Sequence, residues 1–241
     1  MYAVNCSILF TELPLLERAA AAKQAGFDAV EFWWPWPVAV PEDAEIDRFV
    51  AAVTDAGVQL IGLNFAAGDM PGGDRGLVSW PARSAEFRDN VDVTVGIGER
   101  LGCRAFNALY GNRVEGVTAA EQDELGAENL AIAARAAKRV EGTVLVEPVS
   151  GAPRYPLRTA ADALAAIDRA GEDNLRLLLD VYHLAVNGDD VEPRLDEVRR
   201  HRPAHDAESD ERNGRHRCAS NQPKESALGP SGTYSSAIRP S

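Results

Sequence analysis

Cysteine is scarce in this chain of 241 residues: Cys6, Cys103 and Cys218 are too few and too scattered for a disulfide framework or a zinc knuckle. A reduced, cytoplasmic setting is therefore the expectation. Histidine is scarcer where it matters, because only His183 precedes residue 200. No apolar run approaches the roughly 18–20 residues that span a bilayer, so no membrane partner is expected. The N-terminus shows no basic stretch followed by an apolar one, so a secretory signal is not expected either. No Gly-x-Gly-x-x-Gly follows the first strand-like segment and no P-loop occurs anywhere, which removes the usual dinucleotide and nucleoside-triphosphate cradles.

Basic charge is short as well. Lys and Arg number 25 against 37 Asp and Glu, a net charge of −12 that argues against a general nucleic-acid partner. Six of the basic and five of the acidic residues lie in 201–241, so the first 200 residues hold 19 against 32, near −13. A small anionic substrate bound to such a body needs local positive help from an Arg or a metal ion.

What is present is a repeated rhythm. Helix-like stretches end at glycine and an apolar strand-like segment follows, at Gly26, Gly57, Gly102, Gly142 and Gly171. Glycine suits the position after a helix because it takes the left-handed conformation cheaply. Helical periodicity predicts helices over 13–25, after Pro41, over 86–101, over 119–140 and after an N-cap at Thr159. The strand candidates are 3–8, 29–33, 58–65, 104–109, 144–147 and 175–180. They are short and mostly apolar without clean alternation, as strands buried on both faces are.

Strand alternates with helix throughout, which defines an α/β chain with a parallel sheet, either doubly wound or a (β/α)8 barrel. Polar residues at successive strand ends favour the barrel: Glu31, Asn64, Asn107, Glu147 and Asp180. About six βα units are complete by residue 200, where a closed barrel has eight. The expectation is an incomplete TIM-barrel domain over 1–200 and a separate tail over 201–241. In that tail Leu228 and Ile238 are the only large aliphatic residues, so it cannot bury enough surface to offset its chain entropy. Either it is a disordered tail or the reading frame changes near residues 199–205; the second reading is preferred, since the fold before it is unfinished.

Two of the apolar runs end in a carboxylate: Val144-Leu145-Val146-Glu147-Pro148 and Leu177-Leu178-Leu179-Asp180. A desolvated Glu147 needs a metal, an Arg or a hydrogen-bond network beside it. Asp180 suits a hard divalent cation, and His183 can reach the same bound molecule from the loop that follows. The Gly-rich loop 66–77 carries Arg75, whose guanidinium offers a fork for a carboxylate. Trp33, Trp34 and Trp36 either wall a pocket or cover the barrel rim.

These residues resemble hydroxypyruvate isomerase and its relatives in the xylose-isomerase-like TIM-barrel superfamily, over about residues 1–197. The likeness rests on the stretch 26–32, on Ala67-Gly68-Asp69 through Arg75-Gly76-Leu77, on 86–91, on Val146-Glu147-Pro148 and on Asp180-Val181-Tyr182-His183. It implies an isomerase, an intramolecular oxidoreductase that converts hydroxypyruvate to tartronate semialdehyde through an enediolate. A 2-oxo-tetronate isomerase, or a related sugar isomerase or epimerase, is the close alternative. The resemblance further implies a divalent metal of the Mg2+ or Mn2+ type, with Glu147 as catalytic base and ligand, Asp180 as second ligand and His183 on a substrate oxygen. Arg75, Asn107 and Asn64 complete the substrate-binding candidates, the substrate being a small keto or hydroxy acid; a homo-oligomer is compatible with all of this.

Two elements of the family pattern, a third ligand on strand seven and a second catalytic glutamate on strand eight, have no counterpart here. Glu211 and Glu225 lie in segments without strand character. Weak or absent activity, or a non-catalytic remnant, is the corresponding expectation. A metal-dependent apurinic-site endonuclease is the contrasting class, and it calls for several histidine ligands and a basic surface.

Overall fold

In the computed structural model, which describes residues 2–190, six strands and six α-helices alternate along the chain. The strands are β1 (Ala3–Asn5), β2 (Ala29–Phe32), β3 (Gln59–Asn64), β4 (Ala105–Asn107), β5 (Thr143–Val146) and β6 (Leu175–Leu177). The helices are α1 (Leu15–Gln24), α2 (Asp43–Ala56), α3 (Ser84–Leu101), α4 (Ala119–Ala137), α5 (Ala160–Ala170) and α6 (Val181–Asn187). The tail expected over 201–241, and the junction proposed for it, lie outside the described residues.

Every strand pairs in parallel with its sequence neighbour, in the order β1-β2-β3-β4-β5-β6. A doubly wound sheet reverses its strand order at a switch point. This sheet does not, so it is barrel wall, with six of the eight units of a closed barrel among the described residues. Val30, Leu60, Phe106, Val144 and Val146 are wholly buried, and the helices cover them with Phe49, Phe87, Val95, Leu130 and a run of alanines in α4. Small side chains on α4 let that helix lie close to the sheet. The Thr118/Glu121 capping box starts α4, and the Thr159/Asp162 box starts α5.

The strands are shorter than the apolar runs suggested. The ladder bonds nevertheless continue one residue further, as in Phe65 N–H to Asn107 O, Ala108 N–H to Leu145 O and Leu178 N–H to Val146 O. Sequence pattern therefore reads the extended backbone, while regular pairing stops where the chain splays at the rim. The glycine rhythm holds at Gly26, Gly57, Gly102 and Gly171, all at positive φ. At the fourth site Glu141 takes the left-handed turn instead, at φ 54°. Gly142 serves close packing: a Cβ there would lie 2.8 Å from the Phe106 ring and 3.1 Å from the Ala137 carbonyl. The long helix expected over 119–140 tightens to a 3-10 turn from Lys138.

Candidate active site

The carboxyl ends of the strands surround a cavity of about 710 Å³. All the sequence candidates line it: Glu147, Asp180, His183, Arg75, Asn107 and Asn64. Glu147 follows β5 directly. Its backbone carbonyl accepts a hydrogen bond from the buried Tyr155 hydroxyl at 3.0 Å, and that hydroxyl in turn accepts from the Tyr110 amide at 3.0 Å. The Glu147 carboxylate accepts from the Asn107 side-chain amide at 2.7 Å. Burial pushes the Glu147 carboxyl up to about 7; the Asn107 bond opposes the rise, and the negative charges of Asp180 and Glu31 add to it.

Asp180 does not close a strand. It is the N-cap of α6, and its carboxylate accepts the His183 backbone N–H at 3.0 Å. The Asp-x-x-His spacing is thus first a capping geometry, and it brings the His183 ring back over the cavity. One ligand-type atom from each of Glu147, Asp180 and His183 lies within 4.8 Å of the others. Two carboxylates at this separation fit a hard divalent cation. The side-chain oxygen of Asn107, whose amide bonds Glu147, is buried and has no hydrogen-bond partner among the described residues.

The Arg75 loop is bolted down rather than free. The wholly buried Asn90, Gln122 and Asn129, on α3 and α4, bond the backbone at its start, Ala66, and just beyond its end, at Ser79 and Val78. Asp74 pairs with Arg83 at 3.0 Å, and Arg83 with Glu86 at 2.6 Å. Gly76 bridges Tyr110 across the loop. Arg75 spends one guanidinium nitrogen on the Met70 and Asp74 carbonyls and extends toward the cavity.

The tryptophans divide. Trp33 lines the cavity, whereas Trp34 packs at a tilt against Trp36 at 4.8 Å and Trp36 edge-to-face against Phe49 at 5.4 Å, as rim packing. Sequence reasoning passed over Asn5, Ser150 and Tyr155 and gave Glu31 no role. Glu31 accepts from Asn5 at 3.0 Å, and both line the cavity. Their signal was available: a polar residue closing β1 stands in register with one near the end of β2.

The match to a family model confirms what the sheet and the cavity define: residues 19–225 fit the xylose isomerase-like TIM barrel, and the chain belongs to that family. Within it, the chain is 55% identical over 201 residues to a putative hydroxypyruvate isomerase of Streptomyces coelicolor, covering 80% of this chain and 72% of that one. It is 33% identical over 197 residues to a 2-oxo-tetronate isomerase of Cupriavidus necator, covering 80% and 73%. A solved structure described as a family 2 AP endonuclease from Brucella melitensis superposes with a TM-score of 0.70 at 32% identity, covering 81% of this chain and 73% of that one. No described helix is long and apolar enough to cross a membrane.

Proposed function

We propose that the site moves a proton between adjacent carbons of a short 2-keto acid, hydroxypyruvate to tartronate semialdehyde, by way of an enediolate. The observation that carries this reading is Glu147: a carboxyl raised to about 7, beside a second carboxylate, in a cavity with an arginine. A base with its pKa near the working pH is suited to taking a proton from carbon. In hydroxypyruvate that proton leaves C3, the C3 hydroxyl proton passes toward the C2 oxygen, and a proton arrives at C2, so the atoms balance within one molecule.

Glu147 and Asp180 would hold a divalent cation, of the Mg2+ or Mn2+ type. Bound there, it would supply positive charge to oxygens that become negative as the C3 proton leaves. Arg75 binds the substrate carboxylate, Asn107 and Asn64 orient its oxygens, and His183 donates to one of them. The longer 2-oxo-tetronate is the second reading, supported by the Cupriavidus necator relative. The endonuclease name of the Brucella structure finds less support, since His183 is the one histidine among the described residues and the body is acidic.

The test is deuterium exchange at C3 in heavy water, followed by NMR with Mg2+ present. It reads the first half of the reaction and needs only the groups described here. Metal-dependent exchange supports the proposal; none with either hydroxypyruvate or a 2-oxo-tetronate refutes it. Arg75→Lys keeps the charge but loses the fork, so KM should rise about tenfold with kcat nearly unchanged.

Metal affinity should itself depend on pH. The cation must displace the Glu147 proton, so its affinity should fall about tenfold for each pH unit below about 7 and level off above about 8. Calorimetric titration with Mg2+ between about pH 5.5 and 8.5 checks this; a flat profile would exclude Glu147 as a ligand.

A further inference from the structure

Ser150 lies three residues beyond Glu147, in the loop between β5 and α5. Its backbone N–H donates to Nδ1 of His183 at 3.2 Å, and its hydroxyl lies 2.8 Å from the same nitrogen. A hydroxyl can donate or accept, so the second contact alone leaves the ring's tautomer open. The first does not. An amide N–H only donates, so Nδ1 must present its lone pair, and in a neutral imidazole the single proton is then on Nε2.

We propose that Ser150 is a positioning residue that fixes His183 as an Nε2–H donor facing the cavity, so that His183 hydrogen-bonds a substrate oxygen and is not a metal ligand. The cluster of three residues within 4.8 Å is on this reading two ligands and one donor. Nδ1 is occupied by Ser150, and a protonated Nε2 has no lone pair to give. Both sides of the contact are anchored. Val149 N–H donates to Leu157 O at 3.1 Å, and Asn187 donates to Val149 O at 3.3 Å, which holds the Ser150 loop. Asp180 caps the turn that carries the imidazole, and the Tyr182 ring packs on it at 5.5 Å between centroids. The role toward substrate rests on the proposed function; the tautomer does not.

The experiment is two-bond 1H–15N NMR of the full chain with 15N-labelled histidine at about pH 8, His183 being assigned by the signal lost in His183→Gln. The expected pattern is that of the Nε2–H tautomer, retained when Zn2+, a cation that seeks imidazole, is added. An Nδ1–H pattern, or loss of the Nε2 proton to Zn2+, overturns the proposal. A second arm uses C3 exchange. Ser150→Ala loses the hydroxyl bond and should slow exchange about five- to tenfold, whereas Ser150→Thr should stay within about twofold of the parent chain. Equal losses in the two variants overturn the positioning role. If the parent chain shows no exchange at all, the functional reading has failed and the NMR pattern alone decides the tautomer.

Discussion

Replacing Glu147 by Gln should lower the C3 exchange rate by about 10²–10⁴-fold while making the metal-free protein more stable at alkaline pH. The two effects have one cause. An acid raised from 4.5 to about 7 by burial binds more protons in the folded chain than in the unfolded one across that window. Stability therefore falls as pH rises from about 4.5 and carries the whole penalty above about 7. At 1.36 kcal/mol per unit the penalty is roughly 3 kcal/mol. Gln has no such penalty, so its gain in melting temperature should be near zero at about pH 4 and complete by about pH 8, in chelator. A variant with unchanged exchange would remove Glu147 from the chemistry; a pH-independent gain in stability would mean that its carboxylate is not desolvated.

Gly76→Ala should be the most damaging single-methyl change in the Arg75 loop. Gly76 sits at φ 111°, and a Cβ there would fall inside the Leu109 carbonyl group. The substitution combines backbone strain with a clash against immovable main chain, so the cost should exceed about 3 kcal/mol in urea unfolding. Gly73→Ala is the comparison: its φ is 106°, but nothing lies within 4 Å of the added methyl, so strain alone applies and about 1 kcal/mol is expected. Gly76→Ala should also weaken keto-acid binding, because Gly76 adjoins Arg75 and anchors it to Tyr110. Equal unfolding midpoints for the two variants would show that the Leu109 contact is not rigid.

Much of this was legible in one dimension, for identifiable reasons. The α/β alternation, the six units and the acid at the end of β5 follow from apolar runs and glycine stops, which are local signals. Asp180 was found through its neighbours, but as the end of a strand. In the structure β6 stops at Leu177 and Asp180 opens a helix, a distinction that depends on where the sheet lets go of the chain. Asn90, Gln122 and Asn129 read as ordinary polar residues on helices; that they secure the Arg75 loop depends on contacts between elements 24 to 51 residues apart. Ser150 had no signal at all, since its meaning lies in an imidazole 33 residues away.

The unbroken strand order has a consequence for synthesis. Each strand pairs with the one that left the ribosome just before it, so the wall can grow in the direction of translation without waiting for a distant partner. The Arg75 loop is secured once α4 has emerged, by Asn90, Gln122 and Asn129. Glu147 and Asp180 come together later, when β6 adds to β5. At about 5–20 residues per second the interval between the two acids is roughly 2–7 s, and the Asn107 and Tyr155 bonds to Glu147 need no residue beyond 155. The nascent chain can thus complete the Arg75 side of the cavity before Glu147 and Asp180 meet.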